Sequence, residues 1–288
     1  MRIQLVFNPE SGNYRAAIIE RLRQAFIQCG ASVQLSECSA RSPLVIAADI
    51  DQVCVVGGDG TIRHTVLAIR ASGRDLSLSA FPGGTVNLLQ REWRYPTKPE
   101  TFVAAVLAAT ATNTNYAASI NDSIFLACAS VGPDSAAVAA LSPALKRIIG
   151  RLAYVVAFLK ILWLWPRQAI TLIADGQIIQ CEAFYVAKGR YFAGPWSFAP
   201  SARLDEPSLH VVAIHQLNRW GFLRFILLLL LGQPLEGRPG FSCFSCLRLQ
   251  ASSADSTAVQ ADGDVITQLP VSIALDVVKP YATVAAKH

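Results

Sequence analysis

The sequence predicts an α/β fold joined to an all-β one. Residues 1–114 read as an open parallel sheet with helices, and residues 115–288 as a β-sandwich-like domain with helical insertions. Three observations carry this. Short apolar runs alternate with stretches of helical periodicity as far as Ala109, which is the signature of a parallel sheet. Glycine-rich breaks follow several of those apolar runs. After Thr112 the pattern changes, and strand-like segments dominate to the end of the chain.

Residues 2–7 form a short apolar strand ended by Asn8-Pro9-Glu10-Ser11-Gly12. A helix follows from about Tyr14 to Cys29, with Ile18, Leu22, Ala25 and Phe26 at helical spacing and Gly30 as its stop. Val33–Leu35 is a second short strand. Asp51–Val56 is a third, running into Gly57-Gly58-Asp59-Gly60-Thr61, and a helix resumes over Ile62–Ile69. The strand Leu76–Phe81 breaks at Pro82-Gly83-Gly84-Thr85, a helix begins near Val86, and Glu100–Ala109 makes another. The second half offers strands at Ile124–Ser130, Ile170–Ala174, Ile178–Val186, Leu209–His215, Val259–Ala261 and Val271–Val278. Ala144–Trp165 and Arg219–Leu231 are its helical insertions, and the last residues can pack back on the first domain.

The chain is 52% hydrophobic and only 16% charged, which excludes disorder and argues against a coiled coil. No window reaches the ~20 apolar residues of a membrane span. Leu152–Trp165 is interrupted by Lys160 and closed by Pro166, and Trp220–Leu231 is interrupted by Arg224. The N-terminus lacks a signal-peptide pattern, so the expected location is cytoplasmic, at the inner face of a membrane. The net charge of +5 is scattered; its denser places, Lys146, Arg147, Arg151 and Arg219, Arg224, Arg238, flank the apolar stretches. Such cations suit an anionic lipid surface, or are simply solvated beside buried helices. No nucleic-acid motif is present. Of seven cysteines, Cys54, Cys128 and Cys181 sit in core strands. Cys243 and Cys246 form a single C-x-x-C without a second pair, so free thiols in a reducing compartment are expected rather than zinc.

The residues with most chemical content are Gly57-Gly58-Asp59-Gly60-Thr61 at a strand end. Glycines let backbone amides approach phosphate oxygens, and the helix that follows adds its N-terminal dipole. Asp59 would repel phosphate directly, so it implies a bridging Mg²⁺ or an acceptor-hydroxyl role. The loops at Asn8–Gly12 and Pro82–Asn87 end at the same edge, where open α/β sheets bind ligands. No Gly-Lys-Ser/Thr follows, so this is not a Walker A loop, nor a dinucleotide fingerprint.

In these motifs, taken in order, the sequence resembles the diacylglycerol kinase catalytic family, soluble bacterial lipid kinases related to sphingosine and ceramide kinases. The resemblance rests on Asn8–Gly12, Gly57–Thr61, Gly84-Thr85-Val86-Asn87, and Asn121 through Val131-Gly132-Pro133-Asp134. It continues through Gly194-Pro195, Ala199-Pro200, Ala202–Asp205 and Asp262-Gly263-Asp264. The Gly-Gly-Asp-Gly-Thr motif alone is shared with phosphofructokinases and NAD kinases, whose fold the N-terminal half would share. The resemblance implies ATP and Mg²⁺ as cofactors. It implies nucleotide contacts from Asn8, Ser11, Gly12, Gly57, Gly58, Gly60, Thr61, Gly84, Thr85 and Asn87, with His64 one helical turn further on. Asp59 would organise the Mg²⁺ and Asp264 would be the general base. A structural Mg²⁺ would be held by Glu206 and the carbonyls of Arg203 and Ser208.

Leu88 stands where the family often has Asp, Asp264 where it has Glu, and Pro207-Ser208 where it commonly has Gly after the metal-loop acid. Read by itself, Asp262-Gly263-Asp264 is also an ordinary turn between strands. A lipid kinase would use Phe158, Leu159, Leu162, Trp163 and Trp165, or Phe222, Phe225 and Leu229, as an acyl groove or interfacial anchor; otherwise these faces are core. The expected partners are a lipid substrate, a membrane surface and, as an option, a second copy of the chain, with no nucleic acid. The expected activity is ATP-dependent phosphorylation of a lipid hydroxyl at a cleft between the domains. The alternatives are a soluble NAD- or sugar-type kinase and a catalytically weakened nucleotide- or lipid-binding regulator.

Overall fold

The computed structural model describes residues 1–39, 43–140, 169–216 and 218–285. The helix expected over Ala144–Trp165, with its aromatic candidates, lies outside the described residues. The chain divides into two compact units, Met1–Asn115 with Val278–His288, and Tyr116–Val277.

The first unit is a parallel sheet. Its strands are β1 (Arg2–Phe7), β2 (Ser32–Glu37), β3 (Gln52–Gly57) and β4 (Ser77–Pro82), in the order β2-β1-β3-β4. The C-terminal part of β16 (Val271–Val284) adds to this sheet, parallel to β4, pairing Ala282 with Ser77 and Thr283 with Leu78. Every residue of β3 is buried, as expected of an inner strand covered on both faces. The helices are α1 (Ala16–Gln28), α2 (Asp59–Ala71), α3 (Leu88–Trp93) and α4 (Pro99–Ala108). Helix α1 buries Ile19, Leu22, Ala25 and Phe26, so the inward stripe begins at Ile19 rather than at the half-exposed Ile18. Burial pushes the Cys54 thiol on β3 up to about 12, and none of the seven cysteines forms a disulfide.

The second unit is antiparallel. One sheet runs β12-β11-β10-β7-β14-β15, built from β7 (Cys128–Val131), β10 (Ala183–Ala187), β11 (Leu209–Ile214), β12 (Phe241–Cys246), β14 (Ala258–Ala261) and β15 (Asp264–Gln268). The other contains the N-terminal part of β16, then β13 (Arg248–Ser253), β8 (Ile170–Ala174) and β9 (Gln177–Cys181). The strand β5 (Thr112–Ile120) hairpins onto β6 (Ser123–Phe125). Phe125, Leu172, Phe184, Val211, Leu249, Val259 and Ile273, drawn from both sheets, share one buried core. That is the sandwich arrangement. Among the described residues two helices accompany it, α5 (Pro133–Ala140) and α6 (Arg219–Leu230).

Two expected strands are each divided. Ile178–Val186 breaks at Glu182 because the chain changes sheets there: β9 pairs with β8, and β10 with β7 and β11. Ile124–Ser130 breaks at Leu126-Ala127, whose amides turn to a side chain instead of a strand. No helix among the described residues is long and apolar enough to cross a membrane.

Candidate active site

In the first unit the parallel register sets the carboxyl ends of β1, β3 and β4 side by side, so the three loops that follow them meet. Their backbones nearly touch. A Cβ on Gly84 would lie 2.4 Å from the Gly58 Cα, and one on Gly83 would lie 2.9 Å from the Gly57 nitrogen. Only glycine permits that approach. The Gly83 amide donates to the Gly57 carbonyl at 3.0 Å. The first loop is tied in through Asn13, whose Nδ2 donates to the Gly84 carbonyl at 2.7 Å. A Cβ on Gly12 would meet the Thr85 hydroxyl at 2.7 Å. Asn8, Ser11, Asn13, Tyr14, Val56 and Pro82 line a recess beside this junction.

Individual side chains have specific local work. Asn8 Oδ1 accepts the Glu10 amide at 2.8 Å, an Asx turn that shapes the first loop. Asn87 sits in the left-handed region (φ 57°, ψ 57°), and its side chain closes on Gly84, accepting the Gly84 amide at 2.8 Å. Asp59 opens α2 and is buried. Its two oxygens accept the amides of Leu88 and Leu89 at 3.0 and 2.9 Å. A carboxylate thereby satisfies the donors that open α3, which no side chain on its own N-cap serves. Leu88 itself is buried, and only its backbone faces Asp59. Thr61 is buried beneath Gly57, and His64 is exposed on α2, one helical turn beyond Gly60.

In the second unit Ala261 pairs with Asp264, leaving a two-residue hairpin loop, Asp262-Gly263, with φ of 51° and 89°. Two positive φ values make this the type I′ turn that Asp-Gly favours. Asp264 is the first residue beyond it and is half-buried. The buried Asp262 carboxylate accepts three amides, those of Leu126, Ala127 and Cys128, at 2.9, 2.9 and 3.2 Å. A hydrogen-bonded chain leaves the same turn. The Gly263 amide donates to Gln260 Oε1 at 3.0 Å, Gln260 Nε2 donates to the Ser130 hydroxyl at 2.9 Å, and that hydroxyl donates to Asp134. Burial raises the Asp134 carboxyl above the usual carboxylate range. The Tyr185 phenol is pushed well up by its burial, with the Asp134 charge adding to it. Sequence reasoning missed Asp262, Gln260 and Ser130. The Asp-Gly pair signals the turn, but nothing local shows what the carboxylate holds.

The Arg203–Ser208 loop does not fit a divalent cation. The carbonyl of Arg203 accepts the ammonium of Lys188, a fully buried side chain, at 2.5 Å. Arg203 pairs with both oxygens of Asp205 at 3.0 Å, and its Nε lies 3.7 Å from Glu206. Two of the three donors expected to bind metal, the Arg203 carbonyl and Glu206, therefore face cations of the chain itself. Among the described residues no group of three or more His, Cys, Asp or Glu side chains could hold a metal. Lys188→Met is expected to lower stability by about 1–3 kcal/mol, because the carbonyl loses its donor. EDTA is expected to leave the wild-type melting temperature unchanged; both are read by thermal denaturation without nucleotide.

Comparisons with known proteins agree with this architecture. Residues 2–118 match the diacylglycerol kinase catalytic domain, and residues 127–284 match the YegS C-terminal NAD kinase beta sandwich-like domain. A diacylglycerol kinase of Staphylococcus carnosus is 22% identical over 280 residues, covering 94% of this chain and 91% of that one. One from Bacillus subtilis is 22% identical over 284 residues, with coverage of 93% and 91%. A crystal structure of a diacylglycerol kinase from Bacillus anthracis superimposes with a TM-score of 0.76 at 17% identity, covering 99% of this chain and 96% of that one.

Proposed function

The chain belongs to the diacylglycerol kinase catalytic family, and from that premise we propose that it transfers the γ-phosphate of ATP to a hydroxyl of a lipid, such as diacylglycerol or a sphingoid-like acceptor. The observation that carries the reading is the glycine junction of the three loops. It brings the glycine-rich first turn of α2 to one sheet edge, a cradle suited to phosphate oxygens. Asn8, Ser11, Gly12, Gly57, Gly58, Gly60, Thr61, Gly84, Thr85 and Asn87 would form that cradle.

In this reading Mg²⁺ arrives as part of the substrate MgATP. Asp59 serves the cradle by fixing the third loop through Leu88 and Leu89, as its hydrogen bonds support. Asp264 accepts the proton of the lipid hydroxyl as that oxygen attacks the γ-phosphorus and ADP leaves. The type I′ turn and the Gln260–Ser130–Asp134 chain hold the start of β15, and with it the Asp264 backbone.

The test offers the purified protein labelled ATP, Mg²⁺ and two acceptor sets: a short-chain diacylglycerol or sphingoid base in mixed micelles, and NAD or free sugars in solution. Label entering only the lipids is expected. Label entering only the soluble acceptors would replace the lipid reading, and no transfer to any acceptor would remove the kinase reading.

A further inference from the structure

Helix α6 has two apolar faces, and only one is core. Phe222, Phe225, Leu228 and Leu229 are buried, with the Phe225 ring 5.0 Å from that of Tyr185 and 6.0 Å from that of Phe241. Of the two expectations for Phe222, Phe225 and Leu229, an acyl groove or anchor and a core face, the second is thus the one observed. The residues that reach solvent are others: Trp220 is 79% exposed, Leu231 61%, Leu227 53%, Leu230 49% and Leu223 40%. At 3.6 residues per turn, these five fall within an arc of about 100°. The exposed Arg219 and Arg224 stand just outside that arc, one on each side, and the helix contains no acidic residue.

An apolar strip this continuous is costly in water and marks a contact surface. We infer that the outward face of α6 docks on an anionic lipid surface, the helix lying in the interface with Trp220, Leu223, Leu227 and Leu230 toward the acyl chains. The helix has 12 residues, spanning about 18 Å, well short of the hydrocarbon core, so it lies on the bilayer rather than through it. The flanking guanidinium groups match lipid phosphates on both rims. A two-fold contact with a second copy would instead bring like-charged rims together. The inference rests on the proposed lipid acceptor and names the surface by which the protein reaches it.

The experiment is co-sedimentation with phosphatidylglycerol–phosphatidylcholine vesicles and with pure phosphatidylcholine vesicles, comparing wild type with Trp220→Ser/Leu227→Gln. Phosphotransfer to a short-chain diacylglycerol in micelles is assayed in parallel. Wild type is expected to bind the anionic vesicles preferentially. The variant is expected to bind at least about tenfold more weakly, with an unchanged melting temperature and unchanged micellar activity. Equal vesicle binding by the variant overturns the inference, as does wild type that does not bind while still phosphorylating the micellar acceptor. A variant that changes oligomeric state assigns the face to a second copy, and one that loses stability assigns it to packing within the chain. Vesicle binding without transfer to any acceptor leaves the surface standing and removes the kinase reading.

Discussion

Asp264→Asn is expected to reduce phosphate transfer by about 10²–10⁴-fold, the usual worth of a positioned general base. Nucleotide affinity and stability should be unchanged. The substitution keeps the size of the side chain and removes its ability to take a proton. It leaves in place the two positive φ values of the Asp262-Gly263 turn and the amides that the Asp262 carboxylate holds. Asp264→Glu restores the length common in the family and is expected to retain activity. Steady-state kinetics with varied ATP, alongside calorimetric nucleotide binding, separates the cases. A fall in affinity as large as the fall in kcat would mean that Asp264 serves binding instead.

Gly84→Ala is expected to have the largest effect in the first unit. Its new methyl would stand 2.4 Å from the Cα of Gly58 and 2.9 Å from Asn87 Oδ1. The Gly58 atom is backbone and cannot rotate away, so the second and third loops must separate. Overpacking of this kind costs about 3 kcal/mol. The consequences should be a lower melting temperature and loss of measurable ATP binding. Gly12→Ala is the informative contrast, because its clash is with the Thr85 hydroxyl, a side-chain atom that can turn aside. It should weaken nucleotide binding and leave stability near wild type. Equal effects from the two substitutions would show that the close Gly58–Gly84 approach does not hold the site together.

Much of the first unit is legible in the sequence because its signals are local. Val53–Val56 is apolar, Gly57-Gly58 ends it, and helical periodicity follows. The second unit is harder for a physical reason. Its strands change sheets at Glu182 and Leu247, and which sheet a strand joins depends on partners far away in the chain. Strands β12 and β13, Phe-Ser-Cys-Phe-Ser-Cys and Arg-Leu-Gln-Ala-Ser-Ser, carry too many small polar residues to stand out as apolar runs. The same distance hides the work of single side chains. Asp262 holds amides more than a hundred residues earlier, at Leu126–Cys128, and Asp59 holds those of Leu88 and Leu89. Lys188 lies in an unremarkable Val-Ala-Lys-Gly-Arg stretch, yet its ammonium meets the very carbonyl expected to bind a metal.

Phosphate transfer to a lipid through Asp264 is tested most directly by the fate of the γ-phosphate when wild type and Asp264→Asn are each incubated with labelled ATP, Mg²⁺ and a total bacterial lipid extract. Mass spectrometry then identifies the labelled product. A single class of phosphorylated lipid is expected, formed by wild type and nearly absent with Asp264→Asn. Label confined to water-soluble products, or a lipid product formed equally by both proteins, would contradict it.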